Sequence, residues 1–300
     1  MGPAILFPQA APLSRICLGG STFGREVDEA TAHALMDYAS AKQVSHLDTA
    51  ATYTAGASEK IVGAWLASRR PAPGTMTVAT KLYPPFEPDP IDRGVAASAQ
   101  RLGVETIDLL YLHKWDAGAE TPAALRALDG LVRSGRVRSL GVSNFNAAQL
   151  RRVLTLQREL GLAPFKALQN CNNLAIREVD AAIQELGREY NLAIITYSPR
   201  GAGFLTGKHR QGVEKGSRFD VAPGHQSDYF QDTPRRRLEK LAAVSARTGL
   251  SMPHLALAWA VHFPGVSSVL IGGRVPAQLD EAFAAVAFDD PALFAELGSD

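Results

Sequence analysis

The stretch ICLGGSTFG, residues 16–24, decides how the strands of this chain are arranged. A short apolar run ends in two glycines, as a strand does when it opens into a loop. A doubly wound α/β sheet built around a dinucleotide would carry G-x-G-x-x-G at this first turn, where glycines let the backbone approach a pyrophosphate. Gly19, Gly20 and Gly24 do not have that spacing. The arrangement left is a parallel sheet closed on itself.

The rest of the chain repeats the same unit. Strand-like runs recur at VSHLD (44–48), MTVATK (76–81), IDLLYLH (107–113), VRSLGVS (137–143), FKALQN (165–170), LAIITYS (192–198) and SSVLIG (267–272). Several are apolar without strict alternation, as parallel strands covered on both faces are. Helical patterns fall between them. Thr121 and Pro122 open one whose stripe is Leu125, Leu128, Leu131 and Val132, with Gly135 to end it. Asn146 and Gln149 have capping-box spacing, and Leu35, Met36 and Ala39 share a face after Asp28. Eight strand–helix units with short links and no break in composition predict one domain, residues 1–300, folded as an α/β (β/α)8 TIM barrel.

One segment breaks the rhythm. Residues 201–232 are rich in glycine and polar side chains and show no periodicity, which predicts a long lid loop after strand 7. Its Lys208, Arg210, Lys215 and Arg218 suit a lid over an anionic cofactor; a floppy insertion is the plainer alternative.

Bulk properties narrow the function. The chain has 300 residues, is 46% hydrophobic and carries a formal net charge of +1, without a basic stripe. That pattern gives no support to a nucleic-acid or membrane-surface partner. The N-terminal residues lack the charged start and long apolar run of a signal peptide. Leu6 spoils a myristoylation signal. Cys17 and Cys171 lie in apolar surroundings and read as a buried, reduced pair. Together these predict a cytoplasmic protein with a small-molecule partner, its oligomeric state unassigned. The seven histidines have no metal-ligand spacing, so no metal site is expected, and His46 reads as structural. AGFLTGKH is not a phosphate loop, because Ala202 and His209 stand where glycine and Ser/Thr are required.

In such a barrel the C-terminal strand ends line the active site. Asp48, Lys81, His113, Ser143, Asn144, Gln169, Asn170 and Tyr197 are hydrophilic residues at those ends, and Tyr53 follows shortly after Asp48. Asp48, Tyr53, Lys81 and His113 make a chemical set. An ammonium about 4 Å from a phenol, at an effective dielectric of about 20, stabilises the phenolate by roughly 4 kcal/mol. That would bring a pKa of about 10 down toward the useful range for acid–base work. Asp48 would hold Lys81 charged, and His113 could donate to a carbonyl. Lys81 alone would also suit a Schiff-base aldolase.

The ordered motifs LDTAATY, SEKIVG, ATK, LLYLHKWD, GVSNF, ITYSPRGAGFLTGK and VLIGGRVPAQLDE resemble the aldo-keto reductases, from about Leu18 to Glu281. The resemblance implies reduction of an aldehyde or ketone, sugar-derived carbonyls included, by hydride from NADPH (NADP+ in the reverse direction). It makes Tyr53 the general acid, helped by Lys81 and Asp48, with His113 orienting the carbonyl. Ser143, Asn144 and Gln169 would hold the nicotinamide carboxamide, Tyr197 would stack on its ring, and Ser198 would reach the pyrophosphate. Arg274 would meet the 2′-phosphate, with Gln278 beside it. A redox-sensing or regulatory subunit that binds NADPH with little turnover is the alternative within the same family. Phe23, Tyr83 and Trp115 follow strand ends and are expected either to wall a substrate pocket or simply to pack. Four positions depart from the family pattern: Thr54 where glycine is common, Ala282 after Glu281 where asparagine is usual, and Cys171 and Asn172 where glutamate and an aromatic often stand.

Overall fold

In a computed structural model, which describes residues 4–8, 10–221 and 223–299, each of the eight apolar runs forms a strand. Met1, Gly2 and Pro3, where the leader and myristoylation readings begin, lie outside the described residues. The strands are β1 (Ile16–Gly19), β2 (His46–Asp48), β3 (Thr77–Leu82), β4 (Ile107–Leu112), β5 (Val137–Ser143), β6 (Phe165–Cys171), β7 (Ala193–Tyr197) and β8 (Ser268–Ile271). Each pairs in parallel with its neighbour in sequence, and β8 returns to β1, closing the barrel. Helices α1 (Glu29–Ala41), α2 (Ala57–Arg69), α3 (Pro88–Leu102), α4 (Pro122–Arg133), α5 (Ala147–Glu159) and α6 (Ala181–Glu189) alternate with the first seven strands.

The register separates two cores. Outward residues such as Leu47, Leu110, Leu140, Leu168 and Ile194 belong to the large cluster shared with the helices. Cys17, Ala79, Leu109, Tyr111, Ala167, Ala193 and Ile195 fill the barrel, with Leu6, Phe7, Ala10 and Leu13 in the same cluster. Small residues inside are a packing requirement: a Cβ on Gly141 would lie 2.5 Å from the Tyr111 ring. The caps that the spacing predicts form: Thr121 accepts from Ala124 N–H at 3.2 Å, and Asn146 and Gln149 cap one another at 2.9 Å. Asp28 caps α1 as well, accepting from Thr31 N–H at 2.8 Å. Gly135 follows α4 at φ 75°.

The segment after β7 is less irregular than its composition. A 3-10 turn (Gly201–Thr206) and two short helices, α7 (Arg218–Val221) and α8 (Gln226–Tyr229), precede α9 (Asp232–Thr248). Phe204, Leu205, Phe219 and Tyr229 form a second core with Leu238 and Leu241. The His209 ring is buried 5.0 Å from that of Phe219. The floppy-insertion alternative is therefore set aside: elements of about one turn are too short to show a period. The basic residues also divide. Lys208 and Arg218 line the central cavity, whereas Arg210 Nε donates to Glu239 at 3.0 Å and Lys215 does not line it. Helices α10 (Met252–His262), α11 (Ala277–Ala287) and α12 (Pro291–Gly298) complete the chain. Among the described residues no helix is long and apolar enough to cross a membrane, and no cluster of His, Cys, Asp or Glu is arranged for a metal ion.

Candidate active site

The strand ends open into a cavity of about 1150 Å³. Beneath its floor, behind the lining residues Tyr53 and Gln169, Asp48 and Lys81 form an ion pair with side-chain exposures of 0% and 1%. An ammonium has three protons to donate, and all three are placed: one to Asp48, one to Thr49 O at 2.9 Å and one to Tyr53 OH at 3.3 Å. The second carboxylate oxygen of Asp48 accepts from Gln169 Nε2 at 2.8 Å. No polar valence of this pair depends on solvent, which is what allows two charges to sit in a barrel interior.

The electrostatics correct one expectation. Burial pushes the Tyr53 phenol above its ordinary pKa; the Lys81 charge pulls it down without overcoming that, because Asp48 opposes it. The phenol is held protonated. Burial works against the Lys81 charge too, yet the Asp48 carboxylate keeps its pKa above the usual lysine value. That ammonium is no free amine, which argues against the Schiff-base reading. His113 stands edge-on to Tyr53, with ring centroids 5.7 Å apart, and its Nδ1 lies 3.4 Å from Thr52 Oγ1. Burial, with Lys81 beside it, lowers its pKa to about 4, so the imidazole is neutral near pH 7.

A second network ties the neighbouring strand ends together. Ser143 Oγ donates to Gln169 O at 2.6 Å. Asn144, at φ 59°, donates from Nδ2 to His113 O at 2.7 Å and accepts from Tyr197 OH at 2.6 Å. Asn170 clamps the turn beneath, accepting from Asn144 N–H at 2.9 Å and donating to Phe145 O at 2.8 Å. Its place among the polar strand ends was the only sequence signal for that role.

The sequence profile of the Aldo/keto reductase family matches residues 15–292. The chain belongs to that family. Over 298 residues it is 30% identical to an uncharacterized oxidoreductase, YrpG, of Bacillus subtilis (strain 168), covering 91% of this chain and 87% of that protein. This aldo/keto reductase is thus an oxidoreductase of carbonyl chemistry, from a family that generally works with NAD(P)H.

The remaining site residues of the reductase are distributed unevenly. Tyr197, Ser198 (φ 57°), Arg274 and Gln278 line the cavity over the ends of β7 and β8. Arg274 is exposed and makes no side-chain ion pair among the described residues; its N–H donates to Gln278 Oε1 at 2.7 Å. Arg200, also on the wall, pairs with Glu281 at 3.0 Å and donates to Gly272 O at 3.3 Å. Ala282 is fully buried in the main core.

The three aromatics do not form a wall. Phe23 is 1% exposed within the core, so it packs rather than lining the cavity. Trp115 packs on the same core and donates from Nε1 to Glu120 at 2.6 Å. Tyr83 is half exposed, edge-on to His113 at 6.0 Å with Lys114 Nζ 4.6 Å from its ring, at the rim. Cys17 and Cys171 are free and buried. Cys171 faces the cavity, and burial pushes its thiol up to about 12, leaving it unreactive at neutral pH.

Proposed function

We propose that this protein reduces an aldehyde or ketone to the alcohol with NADPH, Tyr53 serving as the general acid. One observation carries this reading. The Tyr53 oxygen accepts from Lys81, so its own proton is left to be donated toward the cavity that Tyr53 and His113 line. A carbonyl oxygen placed between them meets two donors: the phenol and, when Thr52 donates to Nδ1, the Nε2–H of a neutral imidazole. When bound, NADPH would supply the hydride to the carbonyl carbon. As charge develops on the carbonyl oxygen the Tyr53 proton passes to it, and the resulting phenolate is stabilised by the Lys81 ammonium.

The cavity wall fits the cofactor's charge. Lys208, Arg218 and Arg274 all line it, and a guanidinium suits the 2′-phosphate through paired charge-assisted bonds. Tyr197, Ser143 and Asn144 all line the cavity and would hold the nicotinamide, Tyr197 by stacking on it. Gln169 has committed its amide N–H to Asp48, which leaves its carbonyl oxygen for the carboxamide. The partner in this reading is a small carbonyl compound met in the cytoplasm, with sugar-derived carbonyls among the candidates and neither nucleic acid nor membrane involved.

The test pairs binding with turnover. Fluorescence titration with NADPH and NADH should show binding, and a panel of aldehydes, ketones, quinones and keto-sugars should include one that consumes the reduced cofactor. Tyr53→Phe should lower turnover by about 10²–10⁴-fold with cofactor binding intact. A protein that binds neither cofactor refutes the proposal; tight binding without turnover on any substrate returns the regulatory-subunit reading.

A further inference from the structure

Directly after Tyr53 the backbone does something costly. Thr54 (φ 49°, ψ 45°), Ala55 (φ 51°, ψ 38°) and Gly56 (φ 88°, ψ −1°) are three consecutive residues in the left-handed region. Glycine adopts that region freely, whereas a β-branched residue there is a genuine outlier. Such conformations persist only where the surroundings over-determine them, and they gather at functional sites.

The surroundings do so from both sides. The Thr54 hydroxyl donates to Phe23 O at 3.1 Å, and Phe23 is fully buried. The Thr54 methyl lies over Gly24, 3.6 Å from where a Cβ on that glycine would sit. At the far end of the turn, the Arg101 side chain runs so close to Gly56 that a Cβ would meet it at 2.7 Å. Arg101 is itself fixed by the buried Glu59, at 2.5 Å, and Glu59 by Thr80, also at 2.5 Å. The turn carrying Tyr53 is thus clasped to the β1–α1 loop by one side chain and wedged against α3 by another. Thr54 does not line the cavity, so it touches no reacting atom.

We propose that Thr54 is a positioning residue, whose side-chain clasp to Phe23 fixes the angle at which Tyr53 presents its phenol to Lys81 and to substrate. The inference rests on the reading of Tyr53 as general acid. It makes sense of a threonine where glycine would be conformationally easier: the hydroxyl supplies an anchor that glycine lacks. A threonine kept only to fill the loop predicts the opposite response to substitution, since Thr54→Gly would then relieve strain and change nothing else.

Thr54→Gly is therefore the decisive variant, because it accepts the left-handed backbone and should fold. The expected result is a melting temperature equal to or above that of the wild type, an unchanged NADPH Kd by fluorescence, and kcat about tenfold lower, as for a slightly misplaced acid. Thr54→Ser, which keeps the donor, should restore kcat; Thr54→Val, which keeps the shape without the donor, should not. Tyr53→Phe is measured alongside. If Thr54→Gly turns over at the wild-type rate while Tyr53→Phe is inactive, the clasp has no catalytic role and the acid reading stands. A Thr54→Ser variant as slow as Thr54→Gly also overturns the clasp. Full turnover by Tyr53→Phe removes both readings together.

Discussion

The floor and the rim of the cavity are built on different plans. At and just beneath the floor, Asp48, Lys81 and Gln169 project from strands, are almost fully buried, and have their charges and polar groups engaged with one another. At the rim, Arg274, Lys208 and Arg218 sit on loops or a short helix, and Arg274 holds no ion pair among the described residues. Groups that must act on a developing charge are preorganised, so that nothing has to rearrange at the moment of reaction. Groups that capture an anionic ligand remain solvated until it arrives, which spares them the penalty of burying an uncompensated charge.

Breaking the floor should therefore cost more than breaking the rim. Lys81→Met leaves the Asp48 carboxylate buried without its cation, and removes one partner from each of Thr49 and Tyr53. The expected loss is about 3–5 kcal/mol of stability, with turnover reduced to background in the fraction that folds. Chemical denaturation and a single-turnover assay check both. A Lys81→Met protein with near wild-type stability would mean the pair is hydrated rather than sealed.

The next largest effect is a pH dependence carried by buried imidazoles. His113 and the fully buried His46, whose ring nitrogens find no partner among the described residues, are both lowered to about 4 from 6.5, chiefly by burial. Between those values the unfolded chain binds protons that the folded protein refuses. Stability then rises with pH across the window and falls as the pH drops from 6.5 toward 4. Each imidazole contributes up to roughly 3 kcal/mol to that fall. His46→Leu should flatten the acid limb in a series of melting curves from pH 7 to pH 4. An unaltered slope would show that His46 titrates normally.

The same contrast explains how much of the molecule was legible beforehand. Strands such as β5 and β7 could be read because an apolar run ends in polar residues, and Thr121 and Asn146 announce helices through spacing alone. Burial is a property of the assembled barrel and leaves no mark on a local string. The sequence therefore misjudged the sign of the Tyr53 shift and left the place of Phe23 open. Gln169 was visible as a strand-end amide, but its donation to Asp48 joins residues 121 apart and depends on the register of β2 and β6. The lid was hidden differently: Phe204, Phe219 and Tyr229 build a core from elements too short to be periodic.

At the rim, Arg274→Ala should weaken NADPH binding about tenfold, the worth of one charge-assisted contact at a partly solvated site. NADH binding and kcat at saturating cofactor should hardly change, because NADH has no 2′-phosphate and a contact to that group takes no part in the hydride step. Equal weakening toward both cofactors, read by fluorescence titration, would place Arg274 at something other than the 2′-phosphate.

The smallest effect is expected beyond the rim, on the outer side of the lid. Arg210 pairs with Glu239, and both are about half exposed. An exposed pair of this kind is worth about 0–1 kcal/mol and is screened by salt. Arg210→Gln should leave NADPH affinity and kcat alone and lower stability by no more than that amount, with the difference vanishing at high ionic strength. Lys208 has nearly the same exposure, yet it faces the cavity and pairs with Glu214 across the lid at 3.1 Å. Lys208→Gln should weaken NADPH binding where Arg210→Gln does not. If the two variants lose cofactor affinity equally, the lid acts through its summed charge, and the separation between a lining residue and an outward one carries no functional weight.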